Sequence, residues 1–318
     1  KFHQGLEGVF HLLRDHGLEY DAKRSSSTEI PHIKVVISIK APSSPTKRTS
    51  FYANAHEAEQ PAILEAIRAG ALDVALVGDV PPIQARASGT LLPIVLTFTR
   101  ETAEYRLVSR SGVPVETLSD LRGKRVSYIE GSGRQAFLIE ALTRGGVGLD
   151  EVELVNLRVA DLNDALRSNA IDVAVLTEPH VTRLTNQGII TPISDPEERR
   201  LLPSTTYFYA RPAVLADPQK TAALAEFLSA FIRAANWSNV HRQEWGEHYY
   251  TNFNRIAPED TQAILASHSP ILFQTSAEAI PHHQALIDIL HDAGTLPEWF
   301  DAEGSFVNSF DEIIATNR

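Results

Sequence analysis

Apolar residues along this chain fall into short runs with two periods, and those runs predict alternating strands and helices. Ile33 to Ile39 (IKVVISI) is dense in β-branched residues and predicts a buried strand. Phe2 to Gly17 predicts a loop feeding an amphipathic helix, with Val9, Phe10, Leu12 and Leu13 mostly inward and Gly17 as its stop. Residues 20 to 32 are polar and Ser-rich and predict a loop. Thr49 to Ala53 predicts a short strand, and Ala58 to Ala69 a helix with Ile63, Ala66 and Ile67 inward. Further strands are expected at Leu72 to Val77, Leu92 to Phe98, Arg125 to Ile129, Val152 to Asn156, Ile171 to Leu176, Ile189 to Ile193 and Thr205 to Ala210. Helices are expected at Leu118 to Leu121 and Gln135 to Thr143, and in a helical tail over 218–238, 241–250, 258–267, 276–293 and 307–316. Strands that alternate with helices imply a parallel or mixed sheet.

One of these units occurs twice. Glu65 to Asp79 reads EAIRAGALDVALVGD and Asp164 to Glu178 reads DALRSNAIDVAVLTE, with six of fifteen positions identical, too many for two unrelated turns. Each copy is a helix end, a stop at Gly70 or Asn169, and an apolar strand. Gly and Asn best tolerate the left-handed backbone of a helix C-cap. Asp161 is expected to N-cap the second helix. Each strand ends in a carboxylate, Asp79 or Glu178, with Pro81 or Pro179 close behind. The spacing is that of a small lobe rather than a solenoid repeat, so the chain reads as two similar α/β lobes with a ligand between their strand ends. A weaker echo pairs Gln4 to Gly8, followed by Phe10 to Leu13, with Glu130 to Arg134, followed by Phe137 to Ile139. Each is read as the loop after a lobe's first strand, running into a helix N-terminus whose free N–H groups suit an anion.

Composition narrows the class. A chain of 318 residues accommodates two such lobes. A net charge of −11 argues against a nucleic-acid surface. No run of eighteen apolar residues offers a membrane span, and no signal peptide is visible. Lys1 is expected to lie inside or just before a first strand, with an upstream segment removed. The absence of cysteine excludes disulfides, thiolate metal sites and a cysteine nucleophile.

Four segments, EAIRAGALDVALVGDVPPIQARASG (65–89), ETLSDLRGKRVSYIEGSGRQAFLIEAL (116–142), ADLNDALRSNAIDVAVLTEPHV (160–181) and TTYFYARP (205–212), carry a family likeness. In their order and spacing the chain resembles the solute-binding proteins of sulfonate, nitrate and taurine ABC importers, from about residue 60 to 240. The resemblance implies a type II periplasmic-binding-protein fold, two α/β lobes joined by a two-strand hinge. Lobe I would be 1–98 with 206–318 and lobe II 99–205, closing on a ligand by hinge motion. It also implies a periplasmic or otherwise extracytoplasmic monomer that delivers a small molecule to an ABC transporter permease, with no cofactor and no nucleic-acid partner. The contact positions it carries over are Gln4, Gly5, Gly78, Asp79, Gly131, Ser132, Gly133, Arg134, Gln135, Thr177, Glu178, His180 and Tyr207. Two places depart from the sulfonate binders. Gly133-Arg134-Gln135 replaces a Ser-rich run with a His, and Thr177-Glu178-Pro179-His180 replaces Trp-Asp-Pro-Tyr. The aromatic lid is lost, so the ligand need not be an alkanesulfonate.

Each candidate has a structural alternative. Ser132 with the Gly131 and Gly133 amides suits an oxyanion, and Arg134 suits a bidentate grip on it; the alternative is a capped turn beside a solvated arginine. Asp79 and Glu178 suit an ammonium or hydroxyl in the cleft; the alternative is that each caps the next turn, favoured for Asp79 and open for Glu178. If both carboxylates face the cleft unpaired, a zwitterion such as an amino-sulfonate or amino acid, or a heteroaromatic ligand, fits better than a simple anion. His3 is read as an ordinary surface or packed residue. His241, Glu244 and His248, and the pair His282-His283, are read as solvated helix residues because zinc chemistry wants H-E-x-x-H spacing. No G-x-S-x-G elbow, Walker A or G-x-G-x-x-G motif is present.

Two other classes share the fold. Enzymes on it include a biphenyl sulfinate desulfinase, which relies on a cysteine nucleophile, and a pyrimidine synthase of thiamine biosynthesis, which carries a Cys-rich motif; this chain has neither. Effector-binding domains of regulators carry an N-terminal helix-turn-helix, and residues 1–60 show no convincing one.

Overall fold

The computed structural model describes the backbone of residues 20–24, 33–40 and 48–53, and residues 67–317 apart from 71 and 204. The strands are β1 (Tyr20–Arg24), β2 (Ile33–Lys40), β3 (Arg48–Ala53), β4 (Val74–Gly78), β5 (Ile94–Arg100), β6 (Arg106–Arg110), β7 (Arg125–Tyr128), β8 (Glu153–Asn156), β9 (Val173–Leu176), β10 (Ile190–Pro192), β11 (Thr205–Ala210) and β12 (Ile271–Gln274). The α-helices are α1 (Val80–Ala87), α2 (Gly133–Arg144), α3 (Leu162–Arg167), α4 (His180–Asn186), α5 (Pro212–Leu215), α6 (Pro218–Val240), α7 (Arg242–Gly246), α8 (Pro258–Ser267), α9 (Ser276–Asp292) and α10 (Asp311–Asn317). The helix expected over Phe2 to Gly17 and most of the one over 58–69 lie outside the described residues.

Two sheets result. The first has seven strands in the order β1-β2-β3-β4-β11-β5-β12, and the second has five in the order β10-β6-β9-β7-β8. The chain leaves the first sheet at the end of β5 and returns to it at β11, which pairs antiparallel with both β4 and β5. One copy of the repeated unit lies in each sheet, as β4 and β9. The predicted helix stops Gly70 and Asn169 both take left-handed backbone, with φ of 72° and 60°. Asp161, by contrast, sits at the start of α3 without capping it, because its carboxylate is taken by Arg158 at 2.9 and 3.2 Å.

Alternation along the inner strands divides each core in two. In β11, Phe208 and Ala210 face α6, while Tyr207 and Tyr209 face the opposite side with Leu72, Ala75 and Val77. In β9, Val173 and Val175 join α2, while Ala174 and Leu176 join α3 and α4. The return from the second sheet is pinned by buried carboxylates. Glu198, 2% exposed, accepts from the Leu107 N–H at 2.7 Å and the Arg106 Nε at 3.1 Å. Glu140 of α2 accepts from the Leu202 N–H at 2.8 Å.

Four elements depart from the sequence expectations. Tyr20–Arg24, expected as loop, is a strand held by antiparallel pairing along its full length with β2. β6 and β12 were not expected, and both are short strands paired antiparallel with longer or more apolar neighbours. The Gly78-Asp79-x-Pro-Pro segment, a loop by the family likeness, instead runs directly into the first turn of α1, where proline's missing N–H costs nothing.

Phe231 of α6 centres an aromatic cluster, with ring centroids 4.9 Å from Phe208, 5.5 Å from Phe98 and 6.1 Å from Phe273. Phe231→Ala should destabilise the protein by about 3–5 kcal/mol, read as a lower urea midpoint. A midpoint unchanged from wild type would contradict this packing.

Candidate functional site

The parallel strands β7 and β9 deliver two loops to one end of the second sheet, Ile129 to Ser132 and Thr177 to Pro179. β4 delivers Asp79 to the end of the first sheet. The register that sets Gly78 opposite Thr206 brings Asp79 beside Thr205, whose N–H donates to Asp79 Oδ2 at 3.2 Å. These ends meet. An apolar seam of Val80 and Ile83 from α1, Ala136 and Ile139 from α2, and Leu286, Ile287 and Leu290 from α9 packs the second sheet's long helix against the first sheet's helices.

At the rim of that seam Asp79 abuts the start of α2. A β-carbon built on Gly133 would stand 2.8 Å from Asp79 Oδ1 and 2.5 Å from the Tyr105 hydroxyl oxygen. Both polar groups therefore converge on the first residue of α2, and they reach it because that residue has no side chain. Asp79 is 3% exposed, and its Oδ1 has no hydrogen-bond partner. On the other side, His282 Nε2 stands 3.6 Å from Asp79 Oδ2.

The capping role favoured for Asp79 is not found, and the one left open for Glu178 is. Asp79 occupies the N-cap position of α1 but makes no side-chain cap bond. Glu178 is the residue that caps: it accepts from the Thr182 N–H at 3.1 Å and the Thr182 hydroxyl at 3.0 Å, closing the first turn of α4. His180 is the first residue of that helix and is half-buried.

The Gly131–Gln135 loop also differs from expectation. The Ser132 hydroxyl donates to the Ile129 carbonyl at 2.7 Å, and the Gly131 N–H donates to Gln135 Oε1 at 2.8 Å. Two of the three donors expected to face an oxyanion are thus spent inside a tight turn, which Gly131 enters at a φ of 71°. The Gly133 amide begins the helix and has no acceptor one turn back to use. Arg134 is not a solvated arginine. It is 6% exposed, donates to the Val175 carbonyl at 3.1 Å and to the Thr177 hydroxyl at 3.4 Å, and lies 5.5 Å over the Tyr105 ring. It ties α2 to the end of β9.

Tyr207 does not line an open cleft. It is fully buried in the first sheet, its hydroxyl 3.2 Å from His283 Nδ1 and its ring edge-on to His283 and Phe306. Burial, and the negative charge of Asp79 nearby, hold its phenol well above the usual tyrosine range. Of His282 and His283, read from sequence as solvated, His283 is buried and His282 half-buried. The sequence did carry a signal for His283: it shares a helical face with Ala279, Leu286, Ile287 and Leu290, all buried. Thr205 and Tyr105 had no such signal, because the β4–β11 register brings Thr205 to Asp79 and only the meeting of the two sheets brings Tyr105 beside it. His241 and Glu244 are exposed, 3.8 Å apart. Gln4, Gly5 and His3 lie outside the described residues.

The chain belongs to the NMT1/THI5-like family, whose model matches residues 55–244. It is 30% identical over 155 residues to a candidate aliphatic sulfonates-binding protein of Escherichia coli (strain K12), a match covering 48% of this chain and 47% of that protein. The chain thus spans about half the length of the curated relative it matches. Among solved structures it is similar to the alkanesulfonate-binding protein SsuA from Xanthomonas axonopodis pv. citri bound to MOPS, with a TM-score of 0.68 and 22% identity over 78% of this chain and 84% of that one. It is also similar to the periplasmic aliphatic sulphonate binding protein SsuA from Escherichia coli, with a TM-score of 0.66 and 21% identity over 77% of this chain and 79% of that one. A mutant of the desulfurization enzyme DSZB, solved with biphenyl-2-sulfinic acid, shares the fold at a TM-score of 0.57 and 14% identity over 84% of this chain and 98% of that one. The fold is that of the type II periplasmic binding proteins, with two α/β lobes joined by a two-strand hinge. No helix among the described residues is long and apolar enough to cross a membrane.

Two predictions follow from the junction. Gly133→Ala places a methyl against Tyr105 and Asp79, so the protein should fail to reach this arrangement; small-angle scattering without added solute should give a larger radius of gyration than wild type, and equal radii would contradict the contact. Burial, with His282 and Arg86 nearby, draws the His283 imidazole down to about 3. Its folded form therefore stays neutral while the unfolded chain takes up a proton below about 6.5, so stability falls as pH drops from about 6.5 toward 3. Urea midpoints should fall through that window in wild type and fall less in His283→Gln; parallel curves would contradict the assignment.

Proposed function

We propose that this protein captures a small solute carrying an anionic head group, a sulfonate, taurine, nitrate or a related anion or zwitterion, between lobes formed by 1–98 with 206–318 and by 99–205. It acts without chemistry, as a monomer in the periplasm or another extracytoplasmic space, and delivers the solute to the permease of an ABC importer. The observation that carries this reading is the meeting of strand ends from both sheets at the start of α2. There a helix N-terminus, where backbone N–H groups favour an anion, faces Asp79 of the first sheet and the Tyr105 hydroxyl across a residue without a side chain. Family membership and the sulfonate-binding character of similar proteins support it. The sulfur nucleophile of an enzyme reading has no counterpart, since the chain contains no cysteine. The carried-over positions that remain candidates for solute contact are Gly78, Asp79, Gly133, Arg134, Thr177 and His180, with Gln4 and Gly5 from the first loop.

A thermal-shift screen across alkanesulfonates, taurine, nitrate, bicarbonate, amino acids, aromatic sulfonates and pyrimidines tests the reading. A true solute at a hundred times its dissociation constant should add about 2.7 kcal/mol of apparent stability and be recovered unchanged. A hit that is consumed, or no hit across the panel, would count against it.

A further inference from the structure

The strand-end junction carries an asymmetry that a sulfonate does not match. At the start of α2 the backbone offers donors, and the helix dipole favours negative charge. Within the same few ångströms stand the Tyr105 hydroxyl, 2.5 Å from where a Gly133 β-carbon would be, and Asp79 Oδ1, 2.8 Å from it, an oxygen that can only accept, buried and without a hydrogen-bond partner. The other carboxylate oxygen is engaged, by the Thr205 N–H at 3.2 Å and with His282 Nε2 3.6 Å away. A head group entering here therefore meets donors on one side and, beside the Tyr105 hydroxyl, a carboxylate oxygen that can only accept on the other. A sulfonate has three acceptor oxygens and no proton, so one of them would face the carboxylate with nothing between. A phosphonate monoanion has the same tetrahedral shape and charge but keeps one hydroxyl.

We propose that Asp79 is a specificity-determining residue that makes this site prefer an oxyanion still carrying a proton, of the alkylphosphonate monoanion class, over an alkanesulfonate. The inference rests on the solute-binding reading above. The hydroxyl donates to Asp79 Oδ1, and the two remaining oxygens accept from the amides at the start of α2. The head group enters as the lobes part, because in the present arrangement the carboxylate and Gly133 are in contact. The size of the effect follows from the cost of a buried polar group left unpaired, which is worth about tenfold or more in affinity.

The test is titration calorimetry of the full chain with ethylphosphonate and ethanesulfonate, in a buffer on the acid side of the phosphonate's second ionisation, for wild type and Asp79→Asn. Wild type should bind ethylphosphonate about tenfold or more tightly than ethanesulfonate. Asp79→Asn, whose amide can donate to a sulfonate oxygen, should lose or reverse that preference. Ethanesulfonate binding as tightly as ethylphosphonate in wild type would overturn the inference and leave the solute-binding reading intact, and this comparison stands even if the variant does not fold. A preference retained in a folded Asp79→Asn protein would remove Asp79 from the role. Binding of neither compound overturns the inference when another solute of the screening panel binds, and overturns both readings when none does.

Discussion

The structure turns on one contact, the Asp79 carboxylate set against the first residue of α2. A carboxylate at a helix start is electrostatically favourable, but a buried oxygen without a partner is costly, of order 1–3 kcal/mol. Asp79 has both conditions at once. One oxygen is held by the Thr205 N–H, while the other ends at Gly133 with no donor. The apolar seam of α1, α2 and α9 draws the sheets together, and the unpaired oxygen opposes them. On the proposed reading, a solute seated between Asp79 and α2 would supply the missing donor while holding that contact slightly apart. That is a simple way for occupancy to bias a hinged molecule, since a ligand shifts an equilibrium only by its differential interaction with the two states.

The supports of that contact are themselves buried polar groups with defined partners. Arg134 is fixed by the Val175 carbonyl and Thr177, so the start of α2 is anchored to β9. Glu140 and Glu198 hold the returning chain to the second sheet just before β11. Tyr207 and His283 occupy the space beneath Asp79 and stay uncharged near neutral pH, the tyrosine's ionisation being pushed up and the histidine's down. Asp79 and its neighbours thus sit on paired strands and packed helices rather than on free loops, which is the condition for a precise polar constellation.

Much of the fold was legible because its signals are local. The repeated helix-stop-strand unit, with Gly70 and Asn169 as stops, located one strand in each sheet. TTYFYA was legible as a strand, which becomes β11 between β4 and β5, buried along its whole length. What was missed depends on partners. YDAKR becomes a strand only because β2 pairs with it. The Pro81-Pro82 pair sits in the first turn of α1, where proline is itself a helix-start signal. At the site, the repeat set Asp79 and Glu178 at corresponding strand ends. Their fates diverge because Thr182 lies one turn beyond Glu178, within reach for capping, whereas the register of β4 and β11 gives Asp79 to Thr205. Neither Tyr105 nor His282 is near Asp79 in sequence, and no periodicity joins them.

The most direct measurement of the central claim is a spin-label distance between the two lobes, with and without solute. The chain has no cysteine, so Leu91→Cys and Ala160→Cys, both exposed positions, give a unique labelled pair. The account predicts a broad distribution without solute that narrows and shortens when solute saturates the protein. The same narrow distribution in both conditions would contradict it, because closure would then need nothing from the solute.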